Sequence, residues 1–252
     1  ICSILPPKFW YVQMSILKRE YAKIAWWMIL PCLVGLIVFR LFPIFVSFFI
    51  SFTDWNIIGV PKYVGFLNFV EAFSSPLGIK VLINSAQYTL VYVPGVTLLG
   101  LFLSLLVDTG IRGVMMFRTL YFLPYITATV AVAISWKWIF ATRFGILNAF
   151  LGWLGISDPI AWLSNPNFSL LSVAIVMIWK DAGFYMILFL AGLQTMDRTL
   201  IEAAKLDGAG RVAILRYIVM PQIAPMTFFI ILIALINSSK TFEATISLTQ
   251  GG

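Results

Sequence analysis

The sequence predicts an all-α membrane protein, a multi-pass helical bundle with five spans present. Hydrophobic residues make up 61% of the 252 and charged residues only 11%, whereas soluble chains carry about 25% charged residues. The apolar residues gather in runs near or above the roughly 20 that a helix needs to cross a bilayer. The basic residues lie singly or in small groups between those runs, as in loops that face a cytoplasm.

The first run covers about 24–50 and is interrupted by Pro31, Arg40 and Pro43. The second, 81–107, holds Pro94 and Gly95 near its middle; the third is 119–140, the fourth 168–193 and the fifth 218–238. A barrel strand would need about 10 residues of strict alternation. The second run, VLINSAQYTLVYVPGVTLLGLFLSLLV, has no period of two, so helices are expected throughout. No GxxxG pair occurs, and close packing must use other small residues.

Residues 1–23 read as a cytoplasmic tail without a cleavable signal, because the run that follows Lys18, Arg19 and Lys23 is too long for a signal core. The chain starts at Ile1, and Met14-Ser15-Ile16 would make an ordinary start. Residues 1–13 therefore read as upstream translation or a truncated tail.

With the N-terminus inside, the cytoplasmic side carries Lys8, Lys18, Arg19, Lys23, Arg112, Arg118, Arg198, Lys205, Arg211 and Arg216. The opposite side keeps Lys62, Lys80, Arg143 and Lys240, a split of ten to four that sets the orientation. Trp26, Trp27 and Trp55 fit interfacial belts. Five spans leave the C-terminus outside, on the turn-like Gln250-Gly251-Gly252. A sixth helix is expected to be missing after it.

Several function classes drop out. The net charge of +7 is scattered, which argues against nucleic acid, and histidine is absent. Cys2 and Cys32 form no CxxC; Cys32 reads as packing, and no metal site is expected. No GxxxxGK[ST] pattern occurs, so the chain has no such ATPase site of its own. Asn167-Phe168-Ser169 and Asn237-Ser238-Ser239 match a glycosylation pattern too short to weigh.

The stretch between the fourth and fifth runs, about 194–217, is the most informative. Thr199 and Glu202 have capping-box spacing, with Asp197 as a rival cap. Ala203 and Ala204 leave a low helix surface that another protein can approach, and Gly208 can take the left-handed conformation that ends a helix. A loop helix lying on the membrane would explain this much, but Leu200, Ile201 and Leu206 would then need an apolar partner.

Glu202-Ala203-Ala204, Gly208, Ile218 and Pro221 resemble the EAA loop of the permease subunits of binding-protein-dependent ABC importers: EAA, three residues, Gly, nine residues, Ile, one residue, Leu-Pro. Only Met220 departs, where Leu is usual. Leu206-Asp207-Gly208-Ala209 is similar to the sugar-type branch, as are Phe52-Thr53-Asp54-Trp55, Gly65-Phe66-Leu67-Asn68-Phe69, Arg118 through Pro124, and the Phe242–Gly252 ending. The resemblance implies a type-1 importer permease fold, with a transmembrane domain over 81–252. It also implies import of a carbohydrate or related solute, driven by ATP on a separate ATPase pair; this chain would bind no cofactor. The implied partners are a second permease subunit, most simply as a heterodimer, two ATPase subunits, an extracytoplasmic solute-binding protein and the cell membrane. Glu202, Ala203, Ala204, Asp207, Gly208 and Pro221 would form the coupling element.

Arg40, Lys137, Lys180 and Asp181 fall in or near apolar runs, where ionisable groups are costly. Arg40 and Lys137 read as snorkelling to an interface. Lys180 and Asp181 point about 100° apart on a helix, so their pairing is not assumed. Sugar sites join polar groups to aromatic faces, which makes Asn84, Tyr88, Trp136, Lys180, Tyr185 and Asn237 the solute-path candidates. A secondary transporter would explain the spans but not the EAA spacing. An importer of another solute class would share that spacing. A membrane enzyme lacks the clustered acid–base groups it would need.

Overall fold

Apolar segments in a bilayer must satisfy their own N–H and C=O groups, and here they do so as helices. The computed structural model describes residues 21, 24–56, 58–108, 113–156 and 158–249. The expected tail 1–23 apart from Tyr21, Arg112, and the Gln250-Gly251-Gly252 ending lie outside the described residues. The chain divides into two units, Ile1–Ile79 and Lys80–Gly252.

In the first unit, α1 runs Ile24–Ile50 with a π-helical turn at Ile37–Leu41 that contains Arg40. None of its described side chains is buried, so Cys32 is exposed rather than packed within the chain. After α1, β1 (Thr53–Asp54) and β2 (Lys62–Tyr63) pair antiparallel, and α2 covers Leu67–Ser74. Asn68 Nδ2 donates to Ser51 O at 2.9 Å and Thr53 O at 3.0 Å. Phe52 packs on Phe48, Phe66 and Phe69 with ring centroids 5.3–5.4 Å apart. The Phe52–Trp55 and Gly65–Phe69 stretches thus form one compact corner.

The second unit is built around two long helices, α3 (Pro76–Val107, most of which lies in it) and α7 (Pro166–Gln194). Sixty-one per cent of the apolar window of α7 is buried against 39% for α3, so α7 is the central pillar. Small residues let it be approached closely, as the lack of GxxxG required. A Cβ at Gly100 would lie 2.7 Å from Tyr185 Cβ, and one at Gly183 would fall onto the Tyr121 carbonyl oxygen.

Two of the expected spans are broken. The third consists of α4 (Val114–Ile126) and α5 (Thr129–Ile139), bent by 97°, rather than one helix over 119–140. Pro124 deprives the last turn of α4 of a donor, and Thr127 and Ala128 then take extended conformations (ψ 139° and 132°). The freed carbonyls find partners: Thr127 N donates to Pro124 O at 3.3 Å, and Thr127 Oγ1 to Leu123 O at 3.0 Å. The fifth consists of α9 (Arg211–Gln222) and α10 (Ala224–Ser238), bent by 69°, in place of one helix over 218–238. Pro225 has no N–H for the Pro221 carbonyl, and the break falls between them. By length and apolarity the described residues hold three spans, or five if each bent pair counts as one.

Between α5 and α7 lies α6 (Ile146–Trp153), held by Asn148. Its Nδ2 donates to Thr142 O (3.1 Å) and Ile160 O (2.8 Å), while its Oδ1 accepts from Ile160 N (3.2 Å) and Trp162 Nε1 (3.0 Å). The helix α8 (Arg198–Leu206) separates α7 from α9, and α11 (Phe242–Thr249) ends the described chain, with Ala244 and Leu248 in the core.

Candidate functional site

Two groups of residues stand out: the short α8 between the fourth and fifth spans, and a polar cluster buried in the bundle.

Asp197 is the N-cap of α8; its Oδ1 accepts from Thr199 N at 2.9 Å and Thr199 Oγ1 at 2.7 Å. This corrects the expected Thr199–Glu202 capping box: Thr199 lies inside the helix, two residues after the cap. At the other end Asp207 is the C-cap, and Gly208 has φ +80°. Gly208 N donates to Lys205 O at 3.1 Å and Ala209 N to Ala204 O at 2.9 Å. That pair of bonds is the Schellman closure. Arg198 meets Asp108, just past α3, at 3.2 Å; the pair is exposed and worth at most about 1 kcal/mol.

Ile201 and Ala204 turn inward against the core, as does Ala209. Glu202, Ala203 and Asp207 face outward, and Leu206 is 90% exposed. Pro221 is exposed in the last turn of α9, between the half-buried Met220 and Gln222. The small helix is therefore closed at both ends by its own residues and leaves an acidic-and-apolar face unpartnered among the described residues.

The bonds from Thr199 hold the Asp197 carboxyl below its usual range. A depressed carboxylate pKa stabilises the fold above its unfolded value and ceases to do so as pH falls through the folded value. Asp197→Ala is expected to speed amide hydrogen exchange at Thr199 at neutral pH. Wild type should converge on the variant in acid, below the folded pKa. Equal exchange in the two proteins at neutral pH would refute the cap.

The buried cluster joins four helices, α3, α4, α7 and α10. Tyr92 of α3 donates its hydroxyl hydrogen to Asp181 Oδ2 at 2.6 Å. Lys180 Nζ lies 3.8 Å from Asp181 Oδ1, so these neighbours do pair; the flexible lysine stem bends back to its neighbour's carboxylate. The same ammonium donates to Tyr125 O of α4 at 3.3 Å and sits 5.4 Å from the centre of the Tyr125 ring. Phe184 stacks on Tyr125 at 4.6 Å. From α10, Asn237 Nδ2 donates to the Tyr185 hydroxyl at 3.2 Å, and Ser238 Oγ receives a bond from Thr89 Oγ1 at 3.0 Å.

The predicted candidates are placed unevenly around this cluster. Tyr185, Tyr88 and Lys180 are buried, at 0%, 3% and 6% exposure. Tyr88 stacks on Tyr92 at 5.4 Å, and its hydroxyl has no hydrogen-bond partner among the described residues. Tyr88 also lines a cleft of about 520 Å³ with Gln87, Asn167 and Ala174. Asn237 and Trp136 are half-buried, and Trp136 packs edge-on to Trp179 at 5.5 Å. Asn84 is exposed, one turn before Tyr88. Lys137 is half-buried beside Trp136. Sequence reasoning missed Tyr92, Tyr125 and Gly183. Tyr92 stands four residues after Tyr88, on the same helix face, and was legible; a bond to the Tyr125 backbone was not. Among the described residues no group of three or more His, Cys, Asp or Glu could hold a metal ion.

Comparison with known proteins gives this geometry a family. The family of binding-protein-dependent transport system inner membrane components matches residues 96–252. A probable ABC transporter permease protein of Pyrococcus horikoshii is 33% identical over 227 residues, covering 89% of this chain and 77% of the relative. The trehalose/maltose transport system permease protein MalF of Thermococcus litoralis is 30% identical over 239 residues, covering 94% and 81%. A probable starch degradation products transport system permease protein of Thermoanaerobacterium thermosulfurigenes is 32% identical over 228 residues, covering 90% and 76%. Among solved structures, a bacterial ABC transporter involved in import of the acidic polysaccharide alginate matches with a TM-score of 0.77 at 24% identity, over 94% of this chain and 80% of that one. The fold is thus that of an ABC importer permease, and the chain belongs to the binding-protein-dependent transport system inner membrane components.

Proposed function

We propose that this permease carries a carbohydrate or related solute across the cell membrane, and that α8 couples it to a separate ATPase. One observation carries the coupling: a helix capped at both ends, anchored inward by Ile201 and Ala204, that leaves Glu202, Ala203 and Leu206 exposed. Such a rigid knob transmits displacement rather than absorbing it, because both ends are locked by hydrogen bonds. Glu202, Ala203, Ala204, Asp207 and Gly208 form the knob, and Pro221 marks the turn into the broken fifth span. The N-terminus and α8 are then cytoplasmic, as the basic residues favour.

The carbohydrate class is supported by relatives named for trehalose/maltose, starch degradation products and lactose. ATP is consumed by two partner ATPase subunits, and this chain binds no cofactor. A second permease subunit completes the pore, and a solute-binding protein delivers the solute from outside. Asn84, Tyr88, Trp136, Lys180, Tyr185 and Asn237 mark the side of the chain that faces the path, with Asn84 and Trp136 on its accessible rim.

The test is reconstitution of the full complex in proteoliposomes, with uptake measured for a panel of oligosaccharides in the presence of binding protein and ATP. ATP-dependent uptake of at least one carbohydrate is expected. A complex that hydrolyses ATP yet takes up none of the panel would refute the solute class. Labelling of Glu202→Cys from the extracytoplasmic face would refute the coupling role.

A further inference from the structure

The turn Trp179–Phe184 of α7 touches both arms of the broken third span. Trp179 meets Trp136 of α5 at 5.5 Å, while Phe184 stacks on Tyr125 of α4 at 4.6 Å. Gly183 lies so close to the Tyr121 carbonyl that no side chain fits between them. Lys180 stands inside this clamp.

A helix that ends within a membrane exposes carbonyls that water cannot reach, and its end carries about half a negative charge. At the end of α4, Leu123 O and Pro124 O are satisfied by Thr127. Tyr125 O is satisfied by the Lys180 ammonium, drawn from a different helix. Asp181, held in turn by Tyr92, balances the charge. The ammonium therefore occupies the place that a free monovalent cation takes at half-helix ends in ion-coupled transporters, but it is tethered to the chain.

We infer that Lys180 is a positioning residue: its ammonium, the built-in counter-cation of the α4 end, fixes the bend of the third span and so the direction of the arm that carries Trp136. This deepens the path reading above, since it moves Lys180 from touching solute to aiming a half-helix beside the path. Lys180 is 6% exposed, and its ammonium is already engaged by Tyr125 O and Asp181. The Asp181 carboxylate helps hold the ammonium in place, and Tyr92 holds the carboxylate.

The test uses the whole complex in lipid nanodiscs, with spin labels at Leu120 and Ile134, which are 50% and 54% exposed on the two arms. The Lys180→Met/Asp181→Asn pair removes both charges, so no unpaired buried ion is left to unfold the protein. Wild type is expected to give one narrow inter-label distance, and Asp181→Asn alone, which keeps the Tyr125 bond but removes the partner of the ammonium, a width between those of wild type and the double variant. The double variant should give a broadened distribution and lose uptake. A distribution as narrow as wild type in the double variant overturns the inference, as does equal broadening by Asp181→Asn alone. If the double variant fails to assemble, Lys180→Gln/Asp181→Asn is read by the same criterion. Uptake by the wild-type complex reports separately on the solute class, because the distance measurement needs no solute.

Discussion

Gly208→Asp is expected to abolish import while leaving the protein in the membrane and its ATPase partners active. At φ +80° an L residue pays about 1–2 kcal/mol, and Asp and Asn pay the least of the non-glycines. The dihedral alone would therefore not destroy α8. The larger injury is electrostatic and steric. A second carboxylate beside Asp207 sits at the negative end of the helix, on the exposed face proposed to meet the ATPase. The insertion of α7 and α9 does not depend on this position, since a Cβ there meets nothing within 4 Å. Gly208→Asn serves as the control: it takes the same backbone without the charge and should retain most of the import. Reconstituted uptake and ATP hydrolysis, measured side by side, decide the matter. Wild-type import by the Asp variant would show that this turn has no part in coupling.

Gly183→Leu should produce the greatest loss of stability of any single change in the bundle. A side chain there collides with the Tyr121 carbonyl and the Phe122 Cα, which belong to the backbone of α4 and cannot rotate aside. Overpacking a core costs about 1–3 kcal/mol when side chains can give way, and more when they cannot. Separating α4 from α7 would also remove the Tyr125–Phe184 stack and the Lys180 bond at the break. The expected result is a complex that fails to accumulate or melts well below wild type in detergent. Gly152→Ala, in α6 with nothing within 4 Å of its Cβ, should leave the melting temperature unchanged or slightly raised. Similar melting curves for wild type and Gly183→Leu would mean that the close approach of α4 to α7 does not exist in the membrane.

The uneven legibility of the chain has a physical pattern. Apolar runs announce themselves because every residue in them contributes to the signal, so α1, α3 and α7 lie close to their expected bounds. Breaks do not, because the residues that stabilise them are remote in sequence: the end of α4 is satisfied by Lys180, 55 positions away from Tyr125. Pro124, Pro221 and Pro225 were visible, but a proline alone does not distinguish a kink from a bend of 97° or 69°. The α8 helix was legible in outline from Glu202 through Gly208. Its cap is open between Thr199 and Asp197 in the sequence because both offer oxygens, and the choice depends on which backbone turns first. Asn148 gave no signal at all: one polar residue in a short helix shows no period, and its four bonds emerge only when residues 142, 160 and 162 come together around it.

The bend of the third span bears on how the chain is made. At about 1.5 Å per residue, neither α4 nor α5 alone reaches across the roughly 30 Å of hydrocarbon. During synthesis these two pieces leave the ribosome before the residues of α7 that complete the end of α4. Until Lys180 emerges, the Tyr125 carbonyl at the end of α4 lacks the partner it has in the folded chain. The third span therefore reaches its final form only together with the fourth.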